Sequence, residues 1–347
     1  MSRLRNSRVS VIVLNFNGLE RLKICLPSLV DSAARGFQVL VVDNGSSDGS
    51  LEYVHSHFPQ FEILRFEKNL GFVKAYNEAI RMISAEYIVV LNNDTTILSK
   101  DWIERLLKVA DRDLRIGAVQ CKLVWPLEQG RLLSAGNMGV KYWHGFHDIG
   151  KFENDNRQYD IPPISPFSMC AGCALVRRSA FLRVGGFDAK FFAYLEDCDL
   201  SWRLRLAGYT IAYQPLARIA HGWLSSDGPK RGVPLPYLLK RNLLRMLLKN
   251  CGEETIWWAL RNYAIRSFAD LARRDEQSFA VVKAILWNTV HFRDTYSKRL
   301  SIQSRRKVSE EGILSAMFPS YPVQLFHRHE RIRRILGLIF TRTRFEG

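Results

Sequence analysis

The sequence predicts an α/β fold, a mostly parallel, doubly wound sheet with flanking helices, followed by a helical C-terminal extension. Three observations predict it. Short apolar, β-branched runs alternate with segments of helical periodicity through the first 110 residues, the pattern of repeated βα units. Three of these runs, at 9–14, 39–42 and 87–91, give way to Asn or Asp, as strands buried on both faces do where they empty into loops. Beyond residue 226 the pattern changes to Leu- and Ile-striped segments rich in Lys and Arg.

The elements follow in order. Residues 9–14 (VSVIVL) form a buried strand that ends in Asn15-Phe16-Asn17-Gly18, and Leu19, Leu22, Leu26 and Leu29 mark a helix behind it. The unit recurs with a strand at 39–42 and the loop Asp43-Asn44-Gly45-Ser46-Ser47-Asp48-Gly49, a strand at 63–66 and a helix over 71–83. Strand 87–91 is closed by Asn92-Asn93-Asp94, and helix 102–110 follows. Another strand is expected at 116–125. From there to about residue 166, Gly, aromatics and His without periodicity suggest loops and short strands around a site. Residues 174–176, a helix over 199–207 and a strand-like stretch at 211–220 restore order. In such sheets ligands bind beyond the carboxyl ends of the strands, which puts Asn15, Asp43 and Asp94 on one rim.

At 347 residues, 47% hydrophobic and 24% charged, the chain can bury a substantial core, and disordered or fibrous classes are excluded. The net charge of +16 is unevenly placed. Residues 1–226 carry 27 Lys and Arg against 23 Asp and Glu, and residues 227–347 carry 23 against 11. The expected organisation is a catalytic domain at 1–226 and a basic helical extension at 227–347. Within the extension, 237–249 (YLLKRNLLRMLLK) and 331–345 (RIRRILGLIFTRTRF) read either as helices for an anionic membrane surface or as helices packed on the main domain with solvated basic faces. No apolar stretch of 18 residues marks a transmembrane helix. Six cysteines without a secretory leader read as reduced cytoplasmic thiols, and Cys170-Ala171-Gly172-Cys173 lacks the partners of a zinc or redox site.

Several segments carry candidate chemistry. The loop from Asp43 to Gly49 lacks the ligand alternation of a calcium loop and reads as a strand-end turn, with Asp43 able to accept the imide N–H of uracil or thymine. Asp94 at a strand tip suits a hard divalent cation bridging two phosphates. Four carboxylates, Asp188, Glu196, Asp197 and Asp199, fall within twelve residues among aromatics. Such neighbours desolvate a carboxylate and raise its pKa, which favours a general base at Glu196 or Asp197, while Asp199 also suits a helix start. His221 alone reads more readily as structural.

Together the segments VSVIVLNFNG, VVDNGSSDGS, KNLGFVKAYNEAI, VVLNNDTTI, AGCALVRRSAF and GGFDAKFFAYLEDCDLSWRLRLAGY, on to His221, resemble the family 2 glycosyltransferases of GT-A type, in particular bacterial rhamnosyltransferase-like members that build surface polysaccharides. The resemblance covers about two thirds of the chain. It implies a Rossmann-like sheet and an inverting transfer of a sugar, rhamnose among the candidates, from a TDP- or UDP-linked donor to a hydroxyl of a glycan or lipid-linked acceptor. It implies nucleotide binding by Asn15, Asp43, Asn69 and Asn93, and a divalent cation, Mg2+ or Mn2+, at Asp94 with His221 as further ligand. The DxD-type motif here reads Asn92-Asn93-Asp94, so its first carboxylate is missing. Asp197, beside Glu196, matches the catalytic base. The expected location is the cytoplasm, peripheral on the inner face of the cytoplasmic membrane, and nucleic acid is not an expected partner. A dinucleotide-dependent oxidoreductase would show G-x-G-x-x-G after the first strand, which Asn15-Phe16-Asn17-Gly18-Leu19-Glu20 does not. A catalytically inactive nucleotide-sugar-binding or basic membrane-binding protein is the remaining rival.

Overall fold

The computed structural model describes residues 7–33, 36–127, 130–140, 145–160, 164–222, 235–272 and 276–317. The expected domain boundary at 226 and the expected helix at 331–345 lie outside the described residues.

The first half repeats the βα unit. Strand β1 (Val9–Asn15) leads to helix α1 (Leu19–Ala33), β2 (Phe37–Asp43) to α2 (Ser50–His57), and β3 (Glu62–Arg65) to α3 (Phe72–Met82). Next come β4 (Tyr87–Asn92), the three-residue β5 (Thr95–Ile97) and α4 (Trp102–Ala110). Strands β3, β2, β1 and β4 lie side by side and parallel. Because the chain proceeds from β1 to β2 on one side and returns to β4 on the other, the winding reverses between β1 and β4. The carboxyl ends of those two strands therefore flank a crevice.

The second half departs from strict alternation. After β6 (Ile116–Val124) the chain forms β7 (Leu132–Ser134), which pairs with β6, and the two-stranded sheet of β8 (Asn137–Val140) and β9 (Gly145–Asp148). It returns as β10 (Cys173–Arg177), antiparallel between β4 and β6. With no crossover helix before it, β10 has no need to run parallel. Helices α5 (Arg178–Arg183) and α6 (Glu196–Leu206) precede β11 (Thr210–His221), which is parallel to β6 and antiparallel to β5.

Alternate residues of the central strands feed two cores, as the pleat requires. Val11, Val13, Val89 and Leu91 pack with Leu22 and Leu26 of α1 and Trp102 of α4. Ile12, Ile88 and Val90 face Tyr76 of α3 and Trp202 of α6. That second core continues into the C-terminal helices α7 (Leu235–Asn250), α8 (Glu253–Ala272), α9 (Glu276–Val290), α10 (Phe292–Ser304) and α11 (Glu310–Ser315) through Leu244, Leu247, Tyr263 and Ile313. Among the described residues, no helix is long and apolar enough to cross a membrane.

Helix α7 contains the segment 237–249 and packs on the main domain, as one sequence reading expects. Its basic stripe, however, is turned inward, which corrects both the solvated and the lipid-facing placement of those cations. Arg241, Arg245 and Lys249, four residues apart on one face, are buried rather than turned to solvent or lipid. Arg245 and Lys249 pair with the carboxylates of the segment before β11, whereas Arg241 Nε donates to Asn242 Oδ1 at 2.9 Å and its guanidinium lies over the Trp287 ring. Arg245 Nε lies 2.8 Å from Asp188 Oδ2, and Lys249 Nζ lies 2.6 Å from Asp188 Oδ2 and 2.9 Å from Asp199 Oδ1. Arg203 completes the group 2.8 Å from Asp199 Oδ2. Burial alone would raise the Asp188 carboxyl, but Lys249, Arg245 and Lys298 outweigh it and hold the group far below the usual carboxylate range. Asp199 is lowered in the same way, burial being overcome by Arg203 and Lys249.

Removing one member of a buried ionic group leaves the others uncompensated. Asp188→Ala should therefore cost about 3–5 kcal/mol in urea unfolding, against less than about 1 kcal/mol for Lys23→Ala, which removes an exposed pair with Glu20. Equal midpoints for the two variants would contradict this account.

Candidate active site

The loops at the carboxyl ends of β1 and β2 are locked together. Asp48 Oδ2 accepts the Leu19 N–H at 2.9 Å, and its Oδ1 accepts the Ser50 N–H at 3.1 Å, so one side chain serves the starts of both α1 and α2. Asn17 Oδ1 accepts the Ser47 N–H at 2.8 Å, while Ser46 Oγ accepts the Asn17 N–H at 2.9 Å. Asp43, at the tip of β2, is buried. Its Oδ2 accepts the Ser46 N–H at 3.2 Å, and its Oδ1 has no hydrogen-bond partner among the described residues. A buried acceptor left open in this way favours a ligand N–H.

Asn15 and Asn93 meet across the crevice, with Asn93 Nδ2 donating to Asn15 Oδ1 at 2.7 Å. Gly18 lies directly against both amides, and a Cβ there would collide with them. Asn69 is exposed, and its Oδ1 accepts from Asn44 Nδ2 at 3.0 Å and from the Gly71 N–H at 2.8 Å. The side-chain oxygen of Asn69 thus holds the loop ahead of α3. Asn44, which the sequence reading passed over, is the buried link between Asn69 and the Leu70 N–H.

The pairing of β5 with β11 sets His221 opposite Thr95 and so beside Asp94. His221 Nε2 lies 3.2 Å from Asp94 Oδ1 and 3.1 Å from Asn92 Nδ2. Burial pushes the Asp94 carboxyl up, but the hydrogen bond and charge of His221, with Arg21, outweigh it and hold it below the usual range. Two ligands at roughly 2.1 Å from one octahedral ion stand about 3 Å apart, so this oxygen and nitrogen are spaced to share a divalent cation. Among the described residues there is no cluster of three His, Cys, Asp or Glu, so a cation here would take its other ligands from the donor and water.

Glu196 and Asp197 open helix α6. Asp197 Oδ2 accepts the Ala171 N–H at 3.0 Å and its Oδ1 accepts the Cys198 N–H at 2.8 Å. Glu196 is buried, its Oε2 without a partner among the described residues. Burial, reinforced by the charge of Asp197, pushes the Glu196 carboxyl up to about 8. Burial also raises Asp197, with its two backbone donors opposing. Glu196, raised to about 8, is the member that keeps its proton near neutral pH, while the two backbone donors of the half-buried Asp197 favour its charged form.

Segment 171–172 joins the two halves of the site. Ala171 holds Asp197, and Gly172 packs against His221, where a Cβ would sit 2.8 Å from Cε1 and Nδ1. The sequence reading counted this Ala-Gly pair in the segment AGCALVRRSAF of the resemblance but gave it no role in the site. Cys121, Cys173 and Cys198 are buried thiols, and Cys170 is partly so.

Ahead of α6, Tyr194 and Leu195 have φ of 69° and 63°, left-handed values that bulky residues avoid. Asn242 of α7, fully buried, donates to the carbonyls of both Ala193 and Tyr194 at 2.8 Å. The strained link into the carboxylate pair is therefore held from the C-terminal helices. A crevice of about 510 Å³ between α5, α6 and α10, lined by Arg183, Arg203 and Arg305, contains none of the predicted site residues.

Residues 10–185 match the sequence model of Glycosyl transferase family 2. The chain belongs to this family. It is 32% identical over 284 residues to the N-acetylglucosaminyl-diphospho-decaprenol L-rhamnosyltransferase of Mycobacterium tuberculosis, covering 74% of this chain and 91% of that protein. The pre-mycofactocin glycosyltransferase of the same organism is 31% identical, covering 60% of this chain and 40% of the relative. Among solved structures, the mannosyltransferase of Pyrobaculum calidifontis in complex with GDP-Man and Mn2+ aligns at a TM-score of 0.50 and 19% identity, covering 90% and 86% of the two chains. S. aureus TarS 1–349 aligns at 0.53 and 15%, covering 86% and 90%. These neighbours share the GT-A fold with this family 2 glycosyltransferase.

The raised Glu196 carboxyl makes a pH-dependent prediction. Stability due to its neutral form is fully present below its ordinary value of 4.5 and is lost as pH rises through about 8. Glu196→Gln should thus gain on the wild type by about 1.4 kcal/mol per pH unit across that interval and level off above it. Urea unfolding from about pH 5 to pH 9 measures this, and parallel curves for the two proteins would contradict it.

Proposed function

We propose that this glycosyltransferase moves a sugar from a nucleoside diphosphate onto an acceptor hydroxyl with inversion at the anomeric carbon. The observation that carries the reading is the junction at 171–172. One backbone stretch holds the carboxylate of Asp197 and abuts the Asp94–His221 pair, so a base and a cation site border one another.

On this reading Asp43, with its open Oδ1, receives the imide N–H of a uracil or thymine base, and Asn15 and Asn93 line the same crevice. Asn69 keeps the adjoining loop in place. Asp94 and His221 would hold Mg2+ or Mn2+, which neutralises charge developing on the departing nucleoside diphosphate. Asp197 takes the proton of the acceptor hydroxyl as its oxygen bonds to the anomeric carbon. The bond from that carbon to the diphosphate breaks with its electron pair going to the leaving group, so no covalent sugar–enzyme intermediate is required. With Glu196 protonated, Asp197, whose charged form is favoured by two backbone donors, is the member of the pair left for this step.

The name of the mycobacterial rhamnosyltransferase supports rhamnose as the sugar and a polyprenyl-diphosphate-linked saccharide as the acceptor. A lipid-linked acceptor in turn favours a protein working at the inner face of the cytoplasmic membrane.

The roles separate experimentally. Asp197→Asn should bind donor with unchanged affinity by calorimetry while transfer falls roughly 10²- to 10⁴-fold. Asp94→Ala should instead lose the metal-dependent part of donor affinity. Retained turnover in folded Asp197→Asn would move the base elsewhere, and unchanged metal-dependent binding in Asp94→Ala would remove the cation from this pair.

A further inference from the structure

Helices α8 and α9 are apolar on two sides, and α10 adds exposed apolar residues beside them. Inward, Ala259 and Tyr263 of α8 and Val281 and Ala284 of α9 are buried. Outward, Trp257, Phe268, Phe279, Leu286, Val290 and Leu300 are each between 56% and 79% exposed. Single exposed apolar residues are ordinary, but these recur turn after turn. On α9, Phe279, Val282, Leu286 and Val290 follow one another at helical spacing along an exposed stripe. A helix apolar on both sides is at home under a second cover.

Beyond the first turn of α8, where Glu253 and Glu254 are exposed, the exposed charges described on these helices have one sign. From Trp257 through Leu300, the exposed charged side chains among the described residues are Arg261, Lys283 and Arg293. The carboxylates of Asp270 and Asp294 are engaged by Lys240 and Arg245. Arg261 lies 5.0 Å above the ring of Trp258, a pairing that keeps a cation beside an apolar surface.

We propose that this face docks on an anionic lipid bilayer. Headgroup phosphates supply the counter-charge for Arg261, Lys283 and Arg293, while the acyl boundary takes Trp257, Phe268 and Leu286. Trp and Tyr suit that boundary, and long basic side chains reach from it to the headgroups. A second copy fits less well, because beyond the first turn of α8 the exposed charges described are all cationic and a self-complementary contact would bring them together. The proposal relocates membrane contact from α7, whose Arg245 and Lys249 are spent on Asp188 and Asp199, to the three helices behind it. It deepens the reading of a lipid-linked acceptor, and because vesicle binding is measured without turnover, either can fail alone.

The test is flotation of the full chain with vesicles of phosphatidylcholine alone or with about one third phosphatidylglycerol. The parent should float with the anionic vesicles, and less so at high salt. Trp257→Glu combined with Phe268→Glu and Leu286→Glu, all at exposed positions, should bind about tenfold less with unchanged circular dichroism. Arg261→Gln with Lys283→Gln should lose the preference for phosphatidylglycerol. A triple variant that floats as well as the parent overturns the proposal and moves the contact elsewhere, residues 318–347 included. A parent that ignores vesicles also overturns it, and if that parent is a dimer that the triple variant breaks, the face is covered by a second copy.

Discussion

Two buried carboxylates, Asp188 and Asp199, impose the constraint on which the rest of the site depends. Buried charge is tolerated only when paired, and the cations that pair these two come largely from α7, with Arg203 and Lys298. Arg245 and Lys249 can satisfy them in one axial position and rotation of that helix. Once α7 is so placed, Asn242, on the turn before Arg245, meets the carbonyls of Ala193 and Tyr194. Electrostatic neutralisation deep in the molecule thus determines the path of the backbone that enters α6.

That path is costly in itself. Two successive bulky residues in the left-handed region cost on the order of 1–3 kcal/mol each, and such conformations persist only where their surroundings over-determine them. Here Asn242 supplies the determination. The return is orientation: α6 starts with Glu196 inside the protein and Asp197 facing the backbone of Ala171. The same arrangement sets the pair apart, with Glu196 raised to about 8 and Asp197 held by two backbone donors that favour its charge.

Much of the fold was legible because two-sided burial writes itself as continuous apolar runs. Strands β1, β2 and β4 and helix α4 fall within a residue or two of expectation for that reason. Helix α2, whose SLEYVHSH shows little apolar periodicity, and β5, three residues long, left no such trace. The antiparallel direction of β10 was hidden because a buried strand reads alike either way. Asp43, Asp94 and Asn15 were placed on the rim by the strand-end rule alone, whereas the pairing of Asp94 with His221 rested on resemblance, since β5, which joins them, was invisible. The stripe of α7 was misjudged because sequence displays charge and not partners, and Arg245 lies 57 residues from Asp188. Asn242, a lone amide in a basic helix, gave no signal.

The central claim is that α7 holds the carboxylate pair in its working position, and Asn242→Ala tests it most directly. The Asn242 side chain is not itself part of the donor crevice, so donor affinity should stay at the wild-type value while kcat falls by roughly ten- to a hundredfold, the scale of a small misplacement of a reacting group. The pH–rate profile should shift at the same time, because the Glu196–Asp197 pair would relax out of its buried setting. A folded Asn242→Ala protein with wild-type kcat and an unmoved profile would contradict the account and reduce α7 to a structural prop.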